Sequence, residues 1–136
     1  MQSLVLDTNV VLDLFVFDDE SARPLRRALE EGALHWLATA AMRDELVRVL
    51  DYPNIARKLS DRMLTAVSVL EAFERLACTV EVPQRAPAAC KDRDDQKFID
   101  LAVARKAVLV SKDRQVLVMK KRLAALDVRT CCVSEM

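Results

Sequence analysis

The sequence predicts an α/β fold of three layers, in which helices cover both faces of a central, mostly parallel sheet of about five strands. Three observations lead there. Leu4-Val5-Leu6 and the segment from Ala107 to Ser111 are short and apolar almost throughout, as strands buried on both faces must be. Between such segments apolar residues recur at helical spacing, so strands alternate with helices and the connections become right-handed crossovers. One glycine and four prolines in 136 residues, with 52% hydrophobic and 31% charged, describe a compact, helix-rich chain. That length fits one domain, residues 1–136.

Taken in order, Leu4 to Leu6 is the first strand and Asn9 to Leu14 a short helix after it. Asp19 to Glu31 predicts a helix with Gly32 just past its end, where left-handed backbone is wanted. Leu34 to Ala38 is the second strand. Thr39 to Leu50 predicts a helix with Met42, Leu46, Val49 and Leu50 on one face, and Ser60 to Ala77 one long helix whose face carries Met63, Ala66, Val67, Leu70, Phe73 and Ala77. Thr79 to Val82 is a third strand, followed by a loop from Pro83 to Cys90. Helices from Asp94 to Lys106 and from Asp113 to Leu126 flank the strand at Ala107 to Ser111, and Val128 to Val133 closes the sheet.

Composition excludes several classes. With 21 basic and 21 acidic residues, the net charge of zero offers no global footprint for a polyanion, so nucleic acid would have to be met by local clusters. Cys78, Cys90, Cys131 and Cys132 form no C-x-x-C pair, and the single His35 cannot complete a usual zinc set. No basic leader and no long apolar run appear. The expectation is a cytoplasmic protein with reduced thiols and no membrane contact.

Asp7 directly follows three buried-type aliphatics, where an ionised carboxylate costs several kcal/mol unless something compensates it. In parallel sheets, sites gather at the carboxyl ends of strands, which places Asp7 and Asp113 on one rim. Helical spacing of about 100° per residue sets Glu45 at the border of its helix's apolar stripe, with Asp44 facing solvent. The same arithmetic puts Asp94 and Asp95 on the apolar side of their helix and Asp100 outward. Each acid alone has a plain alternative as a helix cap or a solvated edge residue. Together they would repel one another unless a cation neutralised them, and oxygen ligands without His or Cys select Mg²⁺ or Mn²⁺. The matching chemistry is metal-assisted phosphodiester hydrolysis.

The segments Leu4–Leu14, Asp44–Leu50, Asp92–Ala104 and Val108–Asp113 resemble, in order, the acidic motifs of the PIN-domain nucleases, in particular the toxin-like branch that includes VapC-type proteins. The likeness runs from about Leu4 to Val133. It implies Asp7, Glu45, Asp95 and Asp113 as catalytic metal ligands, Asp94 and Asp92 as neighbouring acids able to substitute, and Asn9 and Ser111 as their polar supports. It also implies an Mg²⁺- or Mn²⁺-dependent endoribonuclease, often a homodimer inhibited by an antitoxin protein. Two features depart from the pattern: no proline stands near the start of the Glu45 helix, and Lys112 occupies a position where a small residue is common.

Lys91, Arg93, Lys97, Lys112 and Arg114 flank the acidic motifs and are candidates for RNA phosphate contact. Base stacking looks poorly provided for, with six aromatic residues and several in core-type positions. Asp13 reads as a surface residue of the short helix. Asn9 argues against a phospho-aspartyl phosphatase, which wants a second acid two residues after the first, and the order of acids does not reproduce a response-regulator receiver. The alternative is a catalytically inactive PIN-like module that binds RNA or protein.

Overall fold

The computed structural model describes residues 2–136. Its sheet has five strands, β1 (Gln2–Leu6), β2 (Leu34–Ala38), β3 (Ala77–Thr79), β4 (Val108–Val110) and β5 (Thr130–Cys131), in the order β3-β2-β1-β4-β5. Every neighbouring pair is parallel. The helices are α1 (Thr8–Phe15), α2 (Arg23–Glu30), α3 (Ala40–Leu50), α4 (Pro53–Asp61), α5 (Ala66–Leu76), α6 (Gln96–Arg105), α7 (Arg114–Leu117) and α8 (Lys120–Ala124). The predicted three-layer α/β architecture is therefore the observed one. Among the described residues, no helix is long and apolar enough to cross a membrane.

The chain builds the sheet outward from β1 through β2 to β3, then crosses back to lay β4 on the other side of β1. The crossovers diverge between β1 and β4, and their carboxyl ends open a crevice at this switch point. Burial explains why these two strands lie at the centre: Leu4, Val5, Leu109 and Val110 are fully buried. Trp36 of β2 stacks on Phe15 at 6.2 Å and meets Phe73 edge-on at 5.0 Å, locking α1 and α5 to one face. Gly32 has φ +73° after α2, the left-handed turn its position predicts.

The structure departs from the predicted elements in several places. The long helix from Ser60 does not form: α4 begins at Pro53, a favoured first-turn residue, and α5 restarts at Thr65, which forms a reciprocal capping box with Ser68. Met63 falls in the turn between them with φ +57° and is 93% exposed, and Val67 also faces solvent, so α5 buries Phe73 as predicted but Val69 in place of Val67. Strand β3 starts at Ala77, two residues earlier than predicted, because pairing Trp36 with Ala77 and Ala38 with Thr79 leaves Val82 beyond the edge of β2. The helix predicted from Asp113 is broken into α7 and α8, with the Met119 N–H bonding the Val116 carbonyl in a tighter turn that buries Met119. A single 3₁₀ turn, Glu20–Ala22, replaces the predicted start of the second helix, and Pro24 in the first turn of α2 fits this boundary.

Asp13 is the clearest correction. It is buried rather than exposed, and Lys112 pairs with its carboxylate at 2.9 Å. The lysine that departs from the family pattern thus ties the loop after β4 to α1. Lys112 is half-exposed while Asp13 is not, so losing the lysine leaves a buried carboxylate without its counter-ion. Lys112→Ala is expected to cost about 1 kcal/mol and lower Tm by roughly 3–6 °C, with a smaller loss in an Asp13→Asn background. Thermal melts of the four proteins of that cycle check it.

Candidate functional site

Asp7 closes β1 and opens α1. Its Oδ1 accepts the Val10 N–H at 2.9 Å, and the Ser111 hydroxyl from the end of β4 donates to its Oδ2. The strands bring these two residues together: the Asp7 N–H bonds the Val110 carbonyl at 3.1 Å, so the two carboxyl ends are level. The Ser111 Oγ also accepts the Asp113 N–H at 3.0 Å, and Asp113 in turn caps α7 through the Gln115 N–H. One hydroxyl therefore links the first acid to the fourth. Despite these donors, burial pushes the Asp7 carboxyl above the usual carboxylate range.

Around Asp7 the structure opens a cavity of about 210 Å³ lined by Asn9, Glu45, Tyr52, Asn54, Asp95 and Phe98, among others. Glu45 reaches it from α3, with its side chain 18% exposed, as its place at the stripe border predicts. Asp95 enters from the turn before α6 and belongs also to a second grouping, with ligand oxygens of Asp92, Asp95 and Asp113 all within 4.8 Å of one another. It is the shared corner of two acid clusters. Burial first, then the Asp113 carboxyl against it and the charges of Asp92 and Asp7, push Asp95 up to about 7.

The predicted acids do not all converge. Asp94, placed on the apolar side by helical arithmetic, is exposed, because residues Arg93–Asp95 form a 3₁₀ turn whose side chains advance by about 120° each. Asp92 occupies the neighbouring position instead, its Oδ1 accepting the Asp94 N–H at 2.9 Å. Asn9 lines the cavity with an exposed side chain, and among the described residues no hydrogen bond joins it to Asp7. Of the basic candidates, Lys91, Arg93 and Arg114 are exposed, Lys112 is held by Asp13, and Lys97 pairs with Glu45 at 2.8 Å.

Three contributors escape sequence reasoning. Tyr52 and Asn54 reach the cavity from the unpredicted start of α4, and Tyr52 is 53% exposed at its mouth, so an aromatic surface is present after all. Pro53 after Tyr52 is the signal that marks this helix start. Gln96, buried, accepts the Cys90 N–H and donates to the Ala88 carbonyl and Asp100. Asp100, predicted outward, faces that loop and also accepts the Ala86 N–H, so the pair clamps the segment leading to Asp92.

Comparison with known proteins identifies the fold and the family. The structure is similar to a crystal structure described as VapBC2 from Rickettsia felis bound to a DNA fragment from their promoter. The match has a TM-score of 0.61 and 13% identity, and it covers 95% of this chain and 98% of that one. No curated protein matches the sequence significantly. A family model described as the PIN domain matches residues 3–115, which takes in β1, α3, the turn before α6 and the end of β4, every element that carries an acid of the cavity. By that match, the chain belongs to the PIN-domain family.

Proposed function

We propose that the protein is a metal-dependent endoribonuclease that uses Mg²⁺ or Mn²⁺ and serves as the toxin of a toxin–antitoxin pair. The observation that carries the reading is Asp95: its Oδ2 is buried with no hydrogen-bond donor among the described residues, in a cavity whose other acids are Asp7 and Glu45. A buried carboxylate oxygen without a donor is costly, and a donor set made only of carboxylate oxygens suits a hard divalent cation. Asp7, Glu45 and Asp95 would hold it, with Asp113 and Asp92 placed to help a second. When bound, the ion supplies Lewis-acid stabilisation of charge on the phosphodiester and makes water acidic enough to attack at neutral pH.

The chain's own residues do the positioning. Ser111 and the Val10 N–H hold the two oxygens of Asp7 in fixed directions, and Ser111 carries the same restraint to Asp113. The cavity is open on the side of Tyr52, which offers a ring face on which an unstacked base can lie. Tyr52→Ala is expected to weaken binding of single-stranded RNA by about 1–3 kcal/mol while Tyr52→Trp preserves it, read by fluorescence anisotropy. The antitoxin is supported by the VapC-like resemblance and by the similarity to the VapBC2 structure, and the homodimer by the resemblance alone.

The test is cleavage of defined RNA and DNA oligonucleotides by the purified chain with Mn²⁺, Mg²⁺ or EDTA. RNA cut in the presence of either ion and spared in EDTA supports the proposal. No cleavage with either ion, or cleavage indifferent to EDTA, overturns it.

A further inference from the structure

Lys97 stands in an unusual place. Among the described residues it is the one cation within 4 Å of any carboxylate in the acid cavity: its Nζ lies 2.8 Å from Glu45 Oε2. The Nζ also donates to the Asp94 carbonyl at 2.5 Å and sits 4.9 Å from the Phe98 ring centre. These contacts bridge α3 to the turn that carries Asp95, so the ammonium occupies a defined position among oxygens rather than a freely solvated one. Its side chain is 25% exposed, which leaves the head a path back to water.

We infer that Lys97 is a displaceable internal cation: it neutralises Glu45 while the metal is absent, yields that carboxylate when the metal binds, and then contacts a phosphate of the RNA. The inference rests on the metal-dependent reading proposed above. Two cations on one carboxylate repel each other at these distances, so an arriving divalent ion and the ammonium compete for Glu45. The lysine gives way because its flexible four-carbon stem can move a compact charge without disturbing α6. Once released beside the cavity, it meets the one polyanion the site is built to receive. A lysine at this position therefore lowers repulsion among the acids in the empty protein and adds backbone affinity in the loaded one.

Calorimetric titration with Mn²⁺ alone, on wild type, Lys97→Met and Lys97→Arg, tests the first half. Lys97→Met is expected to bind Mn²⁺ roughly two- to tenfold more tightly, with Lys97→Arg close to wild type. The second half is read from the salt dependence of binding to a phosphorothioate RNA that resists cleavage. With Mn²⁺ present the slope of log Kd against log salt should fall by about 0.7 in Lys97→Met, and in EDTA it should not change. Mn²⁺ affinity unchanged or weakened in Lys97→Met overturns the inference and makes Lys97 a fixed support for Glu45. An unchanged slope with Mn²⁺ overturns the phosphate contact. If wild type itself binds no Mn²⁺, the metal-dependent reading fails and the inference falls with it, an outcome distinct from both.

Discussion

Asp7→Asn is expected to lower Mn²⁺-dependent RNA cleavage by on the order of 10³-fold, the loss that follows when about 4 kcal/mol of transition-state stabilisation is removed. The same change should leave Tm in EDTA unchanged or raised. Asparagine caps a helix as well as aspartate does, so its Oδ1 can keep the Val10 N–H. Its amide NH₂ can donate to Ser111 Oγ, a hydroxyl able to accept from it and from the Asp113 N–H together. What disappears is a buried charge whose desolvation already pushes the Asp7 carboxyl upward. Loss of activity with retained stability would separate the chemical role of Asp7 from its capping role. A marked fall in Tm in EDTA would show instead that the charge itself supports the fold, and surviving activity would remove Asp7 from the mechanism.

The second large effect concerns pH. Asp95 has an ordinary value of 3.8 and is raised to about 7 in the fold. Between those values the folded chain keeps a proton that the unfolded chain has released, so stability falls as pH rises through this window and levels off above about 7. Asp7 is shifted in the same direction. In EDTA the protein is expected to lose roughly 2 kcal/mol between pH 5 and pH 8, seen as a Tm lower by about 5–10 °C. Asp95→Asn should flatten the profile. Saturating Mn²⁺ at pH 7.5 should restore the lost stability, because a ligand at 100 times its Kd contributes about 2.7 kcal/mol. A wild-type profile that is flat in EDTA would contradict the cost assigned to Asp95, and one unmoved by Mn²⁺ would contradict the cation's role in relieving it.

Much of this fold is legible because a parallel sheet writes itself plainly: a central strand buried on both faces has no room for polar residues, and β1 and β4 show it. An acid at the end of such a strand stands out for the same reason, so Asp7 and Asp113 can be read from the chain. Glu45 is readable because α3 is a regular helix, whose period holds over three turns. The period fails at Arg93–Asp95, where one tight turn rotates Asp94 out and brings Asp92 in, a matter of hydrogen-bond pattern that composition does not encode. Asp13 eludes a one-dimensional reading for another reason. Its partner Lys112 lies 99 residues away, and only the closed sheet sets them side by side. Tyr52 is missed with its helix, since an amphipathic pattern running from Ser60 hides the earlier start that Pro53 allows.

The Ser111 hydroxyl reaches an aspartate 104 residues earlier in the sequence. The loop it closes is among the longest held by a side-chain contact in the molecule, and so among the most entropically demanding. During synthesis, Asp7 is made before β4 and cannot meet Ser111 until the 104-residue span that separates them has been made. A chain cut short of β4 therefore lacks the Ser111 contact that fixes Asp7, whatever part of it has folded. On the proposed ribonuclease reading, a nascent chain that has not yet reached β4 cannot assemble the acid cavity, and any partner made alongside it gains that interval in which to fold.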